Sequence, residues 1–217
     1  MWAAPYGTFA LLAVLVADAP KWDLFIALGQ YGISVIIGLL TLMGFYVLLV
    51  FFFARVSPTT FLKGISPAQL LAFSTSSSVA TLPVTMERVE DHLGVEEEVS
   101  SFVLPIGATI NMDGTTLYQA VAAVFIAQAF GIELDIQTQL GIIATATLAS
   151  IGSAGVPGAG MVMLVIVLAQ AGIPEAGLSF IFAIDRPLDM CRTTVNITGD
   201  ATVSMLIAKS DNKLHLE

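Results

Sequence analysis

The sequence predicts an all-α membrane protein in which transmembrane helices are combined with two re-entrant helical hairpins in an inverted repeat. Three observations support this fold class: a composition suited to a bilayer, apolar segments interrupted by polar or glycine-rich runs, and a final helix with charges on one face. Hydrophobic residues make up 56% of the 217 residues and charged residues 12%. Because a soluble domain usually carries about 25% charged residues, the composition favours a bilayer as the solvent.

The net charge of −9 identifies no partner, because much of it lies in one segment, residues 87–98, that we expect to be a solvated connection. The sequence has no basic patch, so nucleic acid is not an expected partner. The single cysteine, Cys191, excludes an internal disulfide, a cysteine-rich zinc site and a redox pair. Composition and charge therefore favour a function inside the membrane that depends on few charged residues.

The first two apolar segments differ in length. Residues 3–17 are too few to cross a bilayer, and no basic segment precedes them as in a secretory signal. We expect the chain to begin inside a helix, with the N-terminal part of a larger protein missing. Residues 33–54 form an uncharged run of 22 residues, and a helix needs about 20 to span the hydrocarbon.

Two later apolar segments are interrupted near their centres. Residues 67–86 contain a serine- and threonine-rich break at 74–78, and residues 140–171 contain a glycine-rich break at 152–160. Each arm has about 10–15 residues, enough for half a bilayer at ~1.5 Å per residue. Irregular backbone at that depth must be enclosed by protein or line a wet cavity. We therefore predict two re-entrant hairpins; two ordinary spans with kinks are the alternative.

The segments repeat in the order hairpin, polar-centred helix. The first such helix covers residues 99–130 with a break at 111–115, and the second covers residues 177–208. Paired interruptions in matching positions indicate a transporter binding site, and the repeat is inverted if the hairpins enter from opposite sides. Most basic loop residues fall at one end of the predicted helices, which the positive-inside rule makes cytoplasmic: Arg55, Lys63, Arg88, Lys209 and Lys213, with Lys21 opposite.

The last helix carries its polar residues on one face. Spacings of 4, 3, 4 and 4 positions place them within about 80° of one another: Asp185, Asp189, Arg192, Asn196 and Asp200. Burying a charge at the bilayer centre costs about 2.5 kcal/mol or more, so these groups face a site or a partner. A salt-bridged stripe that only joins helices is the alternative, and a kink at Pro187 would turn Asp185 out of line. Three carboxylates against one guanidinium leave negative charge for cations to neutralise.

The residue types indicate the ligands. Arg192 offers a planar donor fork suited to a carboxylate, and Asp189, one turn away, can hold an ammonium group. Asp113 and Asp200, each beside glycine and asparagine, suit hard cations with oxygen ligands. The serines at 76–78 can donate hydroxyl or N–H groups to an anion, with simple helix capping as the alternative. The pattern favours a small zwitterion with a second acidic group, bound together with cations.

Four segments, in this order, resemble the signature segments of the dicarboxylate/amino acid:cation symporters, the glutamate transporter family: residues 76–83, 111–115, 152–160 and 189–200. Residues 4–10 are similar to the family's fifth helix, so the resemblance covers essentially the whole chain. It implies a multi-pass, homotrimeric elevator transporter of the cell (inner) membrane. Residues 1–32 would be a partial scaffold helix and loop, 33–209 the transport domain from helix 6 to helix 8, and 210–217 a cytoplasmic tail.

The resemblance also implies the site residues, with Asp189 on the substrate amino group and Arg192 on its side-chain carboxylate. The substrate residues would be Ser76, Ser78, Thr115, Val156, Gly160, Asp189, Arg192, Thr193 and Asn196. One sodium site would use Gly107, Asn111, Asn196 and Asp200. A second would use Thr109, Met112, Ser150, Ile151 and Ser153. A third would use Asn111 and Asp113 with ligands from a further helix. Hairpin 2 would be the extracellular gate, and no cofactor is implied beyond coupling Na⁺, with H⁺ as a further possibility.

The chain departs from the family pattern in its arginines. Family members often carry a second arginine at the position of Ser76 or of Met190, and here the additional arginine is Arg186. The choice of coupling cation, and coupling to potassium, therefore stay open at this point.

We expect a secondary active symporter for L-glutamate or L-aspartate rather than an enzyme. A C4-dicarboxylate symporter is the alternative within the class, although a dicarboxylate has no ammonium to meet Asp189. An intramembrane aspartyl protease would use Asp113 and Asp200, but residues 197–200 lack the first glycine of that family's catalytic motif. A membrane subunit without transport activity is a further alternative.

Overall fold

The computed structural model describes residues 23–215, and the helix expected at residues 3–17 lies outside this range. The described part contains eight α-helices, no named strands and an isolated bridge. The helices are α1 Asp23–Leu49, α2 Pro58–Thr75, α3 Ser78–Asp91, α4 Glu97–Ile110, α5 Asp113–Ala129, α6 Ile136–Ile151, α7 Ala159–Gln170 and α8 Leu178–Ser210. The all-helical prediction is confirmed for these residues.

Helix α1 is longer than the apolar run at 33–54 indicated. It begins at Asp23, and a π-helical turn, Val50–Ala54, extends it to Arg55. The residues between Asp23 and position 33 are also uncharged, and the two glycines and the glutamine among them do not end the helix. Within the described range, Phe25–Ala54 is the one helix long and apolar enough to cross a membrane by length and composition.

Helices α2 and α3, the first helix pair, are separated by residues 76–77 and pack against each other. Ser57 caps the start of α2 by accepting a hydrogen bond from the Thr60 amide at 3.1 Å, and Pro58 occupies the first turn. Ser76 ends α2 with φ +54°, a left-handed conformation that costs a non-glycine residue free energy. Ser77 then caps α3 through the amide of Ala80. The chain is thus interrupted within the predicted serine run.

Helices α6 and α7, the second helix pair, are separated by a longer break, residues 152–158, and also pack against each other. Asp135 caps α6 by accepting from the Thr138 amide at 2.7 Å. Gly158 stands immediately before α7 with φ +79°, a conformation that glycine adopts without steric cost. The glycine-rich run therefore forms the break that its composition predicted.

Helices α4 and α5 are separated at residues 111–112, within the predicted break at 111–115. Helix α8 follows as one helix of 33 residues, and Pro187 does not end it. One buried apolar cluster surrounds its first half together with α1, α5, α6 and α7. A second cluster surrounds its second half together with α2, α3 and α4. The helix with the charged stripe thus runs through the centre, between the two broken pairs.

The connection between α3 and α4 is shorter than the acidic segment 87–98 suggested, because α3 continues to Asp91 and α4 begins at Glu97. Its residues pair with the end of the described chain. Val95 forms an antiparallel bridge with Leu214, and the Glu96 amide donates to the Lys213 carbonyl at 3.1 Å. The end of α8 is therefore tied to the start of α4.

Candidate functional site

The breaks of both helix pairs meet α5 and α8 around one small cavity. Its volume of about 10 Å³ is room for about one water molecule. Eight of the nine substrate residues expected from the sequence line this cavity: Ser76, Ser78, Thr115, Val156, Gly160, Asp189, Thr193 and Asn196. Residues separated by more than a hundred positions are thus brought together around a space too small for a solute larger than water.

Arg192, the ninth expected residue, lies beside the cavity and is only 1% exposed. Its Nε donates to Asp189 Oδ1 at 2.9 Å, and its Nη1 lies 3.3 Å from Asp185 Oδ1. Its guanidinium carbon is 4.0 Å from the ring centroid of Tyr118, a cation–π contact. Because Asp185 reaches Arg192, Pro187 does not turn that carboxylate away from the stripe.

Asp189 has a further set of partners on its other oxygen. Oδ2 accepts a hydrogen bond from the Gly158 amide at 2.9 Å, which joins α8 to the second break. Arg186 Nη1 lies 3.7 Å from the same oxygen, and that side chain is 56% exposed. With Arg186 included, two arginines face two aspartates in this part of α8. The sequence argument counted a single guanidinium and so overestimated the negative charge here.

Two buried polar atoms near the cavity have no hydrogen-bond partner within the described part of the chain. They are Ser76 Oγ and Arg192 Nη2. A buried donor left unpaired costs about 1–3 kcal/mol. A polar ligand that pairs with such an atom removes this cost and gains binding free energy. A methyl group on Gly160 would come within 3.1 Å of Arg192 Nη2, so the unpaired nitrogen is close to the cavity wall. A carboxylate at this point would accept from the guanidinium.

A second polar cluster lies at the α4–α5 break. Asp200 is 2% exposed, and its Oδ1 accepts from Asn111 Nδ2 at 2.8 Å. Asp113 accepts a hydrogen bond from the hydroxyl of Tyr46 on α1. Among residues 23–215, neither Asp113 nor Asp200 forms an ion pair with a basic side chain. Negative charge without a basic partner is therefore concentrated here rather than beside Arg192.

Gly107 is essential to the shape of this second cluster. A Cβ at this position would lie 2.5 Å from Asp200 Oδ1, too close for any real contact. We expect Gly107→Ala to displace the carboxylate and to raise the sodium concentration needed for substrate binding by roughly tenfold, the effect of about 1.4 kcal/mol. The measurement is a sodium titration of substrate binding to the full-length protein. Gly44→Ala is the control, because nothing lies within 4 Å of its added Cβ.

Asn196 lies between the two clusters. Its Oδ1 accepts from the Gly114 amide at 2.8 Å, and its Nδ2 lies 3.2 Å from Thr115 Oγ1. It thereby connects the wall of the cavity to the first turn of α5. Met112 and Ser153 also line the cavity, so part of the second expected cation set reaches the substrate side.

The other members of that cation set are more dispersed. Ser150 is buried and its hydroxyl lies 2.6 Å from that of Thr116. The side chains of Thr109 and Ile151 are exposed, and the Thr109 hydroxyl bonds within its own helix to the Ile106 carbonyl at 2.9 Å. These two side chains thus face the surface, whereas Met112 and Ser153 line the cavity.

Sequence reasoning missed several residues with direct contacts to the expected set, among them Tyr46, Thr116, Tyr118 and Gln119. Tyr46 and Tyr118 carry a hydroxyl on an otherwise apolar helix face, a weak signal on its own. Ser77 was placed with its neighbours in the serine run but was not separated from them. Only the packing distinguishes its hydroxyl from those of Ser76 and Ser78.

Comparison with known proteins identifies the family. Residues 1–210 match the family model described as the Sodium:dicarboxylate symporter family. The chain belongs to this family. The resemblance found in the four signature segments is thereby confirmed, and this is a family of transporters rather than enzymes. The intramembrane protease interpretation is accordingly excluded.

The chain is also similar to curated members of the sodium:dicarboxylate symporter family. It is 44% identical over 96% of its length to excitatory amino acid transporter 5 of Homo sapiens. Excitatory amino acid transporter 2 of Mus musculus is 44% identical over 93% of the chain, and excitatory amino acid transporter 1 of Ambystoma tigrinum is 47% identical over 93%. The chain spans only 36–38% of the length of these three relatives.

Proposed function

We propose that the full-length protein is a secondary active symporter that moves L-glutamate or L-aspartate together with Na⁺. The observation that supports this most directly is the convergence of eight expected substrate residues on one cavity, with the buried Arg192 beside it. Relatives named excitatory amino acid transporters support an amino acid as the substrate. The sodium in the family's description supports the choice of coupling ion.

The substrate would bind by exchanging partners within the Asp189–Arg192 ion pair. Its ammonium would take the place of Arg192 Nε on Asp189, and its side-chain carboxylate would accept from the guanidinium. Both charges of the pair stay compensated during this exchange, which matters because an uncompensated buried charge costs several kcal/mol. The unpaired Nη2 gives the incoming carboxylate a donor that no protein group already uses.

The cations would bind at the second polar cluster, where the carboxylates of Asp113 and Asp200 have no basic partner among residues 23–215. Gly107, Asn111 and Asp200 also line a groove of about 230 Å³ on the surface between α4 and α8. The rest of that groove is apolar, and Phe102 at its edge is exposed. These features support the expectation that a further helix of the full-length protein packs here, against Asn111, which the expected first and third cation sites share.

The membrane arrangement is part of the same proposal. The two helix pairs would be re-entrant hairpins in an inverted repeat, since each is broken at the level of the cavity that both line. Residues 33–209 would form a transport domain that moves as an elevator within a homotrimer, with the tail at 210–217 in the cytoplasm. The proposal includes location in the cell (inner) membrane, with H⁺ as the alternative coupling ion.

Uptake by the full-length protein in liposomes tests this function. We expect radiolabelled L-aspartate to accumulate under an inward sodium gradient, because unpaired carboxylates in the cation cluster require sodium before the site is neutral. A proton gradient alone is the control. No accumulation under either gradient, from protein that is folded and inserted, would contradict the proposal.

A C4-dicarboxylate symporter is a second candidate, and one observation favours it. Arg186 and Arg192 together balance Asp185 and Asp189, so an ammonium group is not strictly required for neutrality. Competition distinguishes the two substrates. Displacement of labelled aspartate by succinate at equal concentration would favour the dicarboxylate, whereas weak displacement favours the amino acid.

A further inference from the structure

The two helix pairs touch each other through a hydroxyl that lies outside the expected substrate set. Ser77 Oγ donates a buried hydrogen bond to the carbonyl oxygen of Gly155 at 2.7 Å. The amide of Val79 approaches the same oxygen at 3.4 Å. One carbonyl of the break in the second helix pair (residues 152–158, the second break) is thus held by the break in the first helix pair (residues 76–77, the first break). The two residues are 78 positions apart in the chain.

This carbonyl belongs to the same peptide group as the amide of Val156. Because a trans peptide is planar, its C=O and N–H point in opposite directions, and fixing one fixes the other. The Val156 amide in turn lies 2.8 Å from the carbonyl of Ala154. The peptide that leads into Val156, a residue lining the cavity, is therefore held from both sides.

Packing leaves this peptide little room to move while the cavity is closed. A Cβ on Gly155 would lie 2.8 Å from the Ala108 carbonyl oxygen and 2.8 Å from a methyl carbon of Val79. The glycine is thus enclosed by α3 and α4. Movement of this peptide away from the first helix pair would break the Ser77–Gly155 bond.

We propose that Ser77 is a positioning residue whose hydroxyl holds the second break closed over the cavity and orients the peptide before Val156. The inference rests on the proposed substrate site but adds a residue and a step to it. Loss of the hydroxyl would leave the substrate-contacting side chains of α5 and α8 in place and would shorten the time for which a bound substrate stays enclosed.

Ser77 also caps α3, and the test must separate the two roles. Ser57 is a matched control, because it caps α2 through the Thr60 amide at the same 3.1 Å, and within residues 23–215 its hydroxyl bonds only to Thr59 and Thr60. We expect Ser77→Ala in the full-length protein to raise the dissociation rate of labelled substrate by roughly three- to tenfold, the effect of one lost hydrogen bond. Ser57→Ala should leave that rate unchanged, and Ser77→Thr should restore it.

A distance measurement tests the same idea without substrate. Spin labels at Phe73 and Val162, which are exposed on α2 and α7, report the separation of the two helix pairs once Cys191 is replaced by serine. We expect Ser77→Ala to broaden the distance distribution and Ser57→Ala to leave it as in the parent protein. The proposal would be overturned if Ser77→Ala gave the same distance distribution as Ser57→Ala and the parent protein.

The two measurements also separate this inference from the proposed function. If the parent protein binds neither aspartate nor succinate, the proposed function fails, and the spin-label comparison still decides the role of Ser77. If the parent protein binds substrate and Ser77→Ala releases it at the parent rate, the role of Ser77 fails and the proposed function stands.

Discussion

Replacing Arg192 by alanine is expected to weaken the binding of an acidic amino acid by at least about a hundredfold, roughly 3 kcal/mol. The side chain is buried beside the cavity, and its Nη2 has no acceptor among residues 23–215. Its removal takes away the fork that would hold the substrate carboxylate. It also leaves Asp185 and Asp189 close together without their shared partner. Both effects act against an anionic ligand.

The same variant is expected to lower the stability of the protein, because breaking a buried ion pair from one side costs about 3–5 kcal/mol. Arg192→Lys separates stability from recognition. Lysine supplies the positive charge for the two aspartates but lacks a planar fork. We expect Arg192→Lys to recover most of the melting temperature and little of the affinity.

Calorimetry at saturating sodium measures both affinities, and a thermal melt of each variant shows that it is folded. Arg186→Ala is the control, because Arg186 is an exposed arginine that also approaches Asp189. An exposed ion pair contributes at most about 1 kcal/mol, so this variant should lose less than about tenfold in affinity. Unchanged aspartate affinity in folded Arg192→Ala would refute the site proposed here.

Local chemistry explains why the interruptions could be located from the sequence. The serine run at 74–78 supplies the capping hydroxyls of a helix start, and the glycines at 152–160 allow backbone that other residues resist. The stripe on α8 follows from helical periodicity alone, since spacings of 3 and 4 positions keep side chains on one face. These features depend on neighbours in the chain, and the helix bounds in the structure agree with them.

The contacts between elements could not be predicted in the same way. Tyr46 reaches Asp113 from a helix that the sequence marks only as apolar, and Ser77 differs from Ser76 and Ser78 only through packing. The pairing of Arg186 with Asp189 changes the charge balance beside the cavity. The sequence-based count had set three carboxylates of the α8 stripe against one guanidinium. Such facts depend on rotamers and packing, which periodicity does not determine.

Replacing Asp200 by asparagine is expected to raise the sodium concentration at half-saturation by roughly tenfold or more. Asparagine has nearly the same shape and keeps an acceptor for Asn111 Nδ2, so the break between α4 and α5 should be preserved. The negative charge is lost, and hard cations bind carboxylate oxygens more tightly than amide oxygens. Because Asp113 remains, binding should still depend on sodium, with a shallower titration.

The test is a sodium titration of aspartate binding to the full-length protein, with Asp135→Asn as the control. Asp135 is an exposed cap of α6, and asparagine caps a helix about as well as aspartate. If Asp200→Asn and the parent protein gave identical sodium titrations, Asp200 would have no role in cation binding. A carboxylate buried without a basic partner would then need another source of neutralisation, and a bound proton at Asp200 would be the simplest one. The same titration repeated at several pH values tests for a proton at Asp200. A protonated Asp200 is uncharged like asparagine, so it would make sodium binding independent of this substitution.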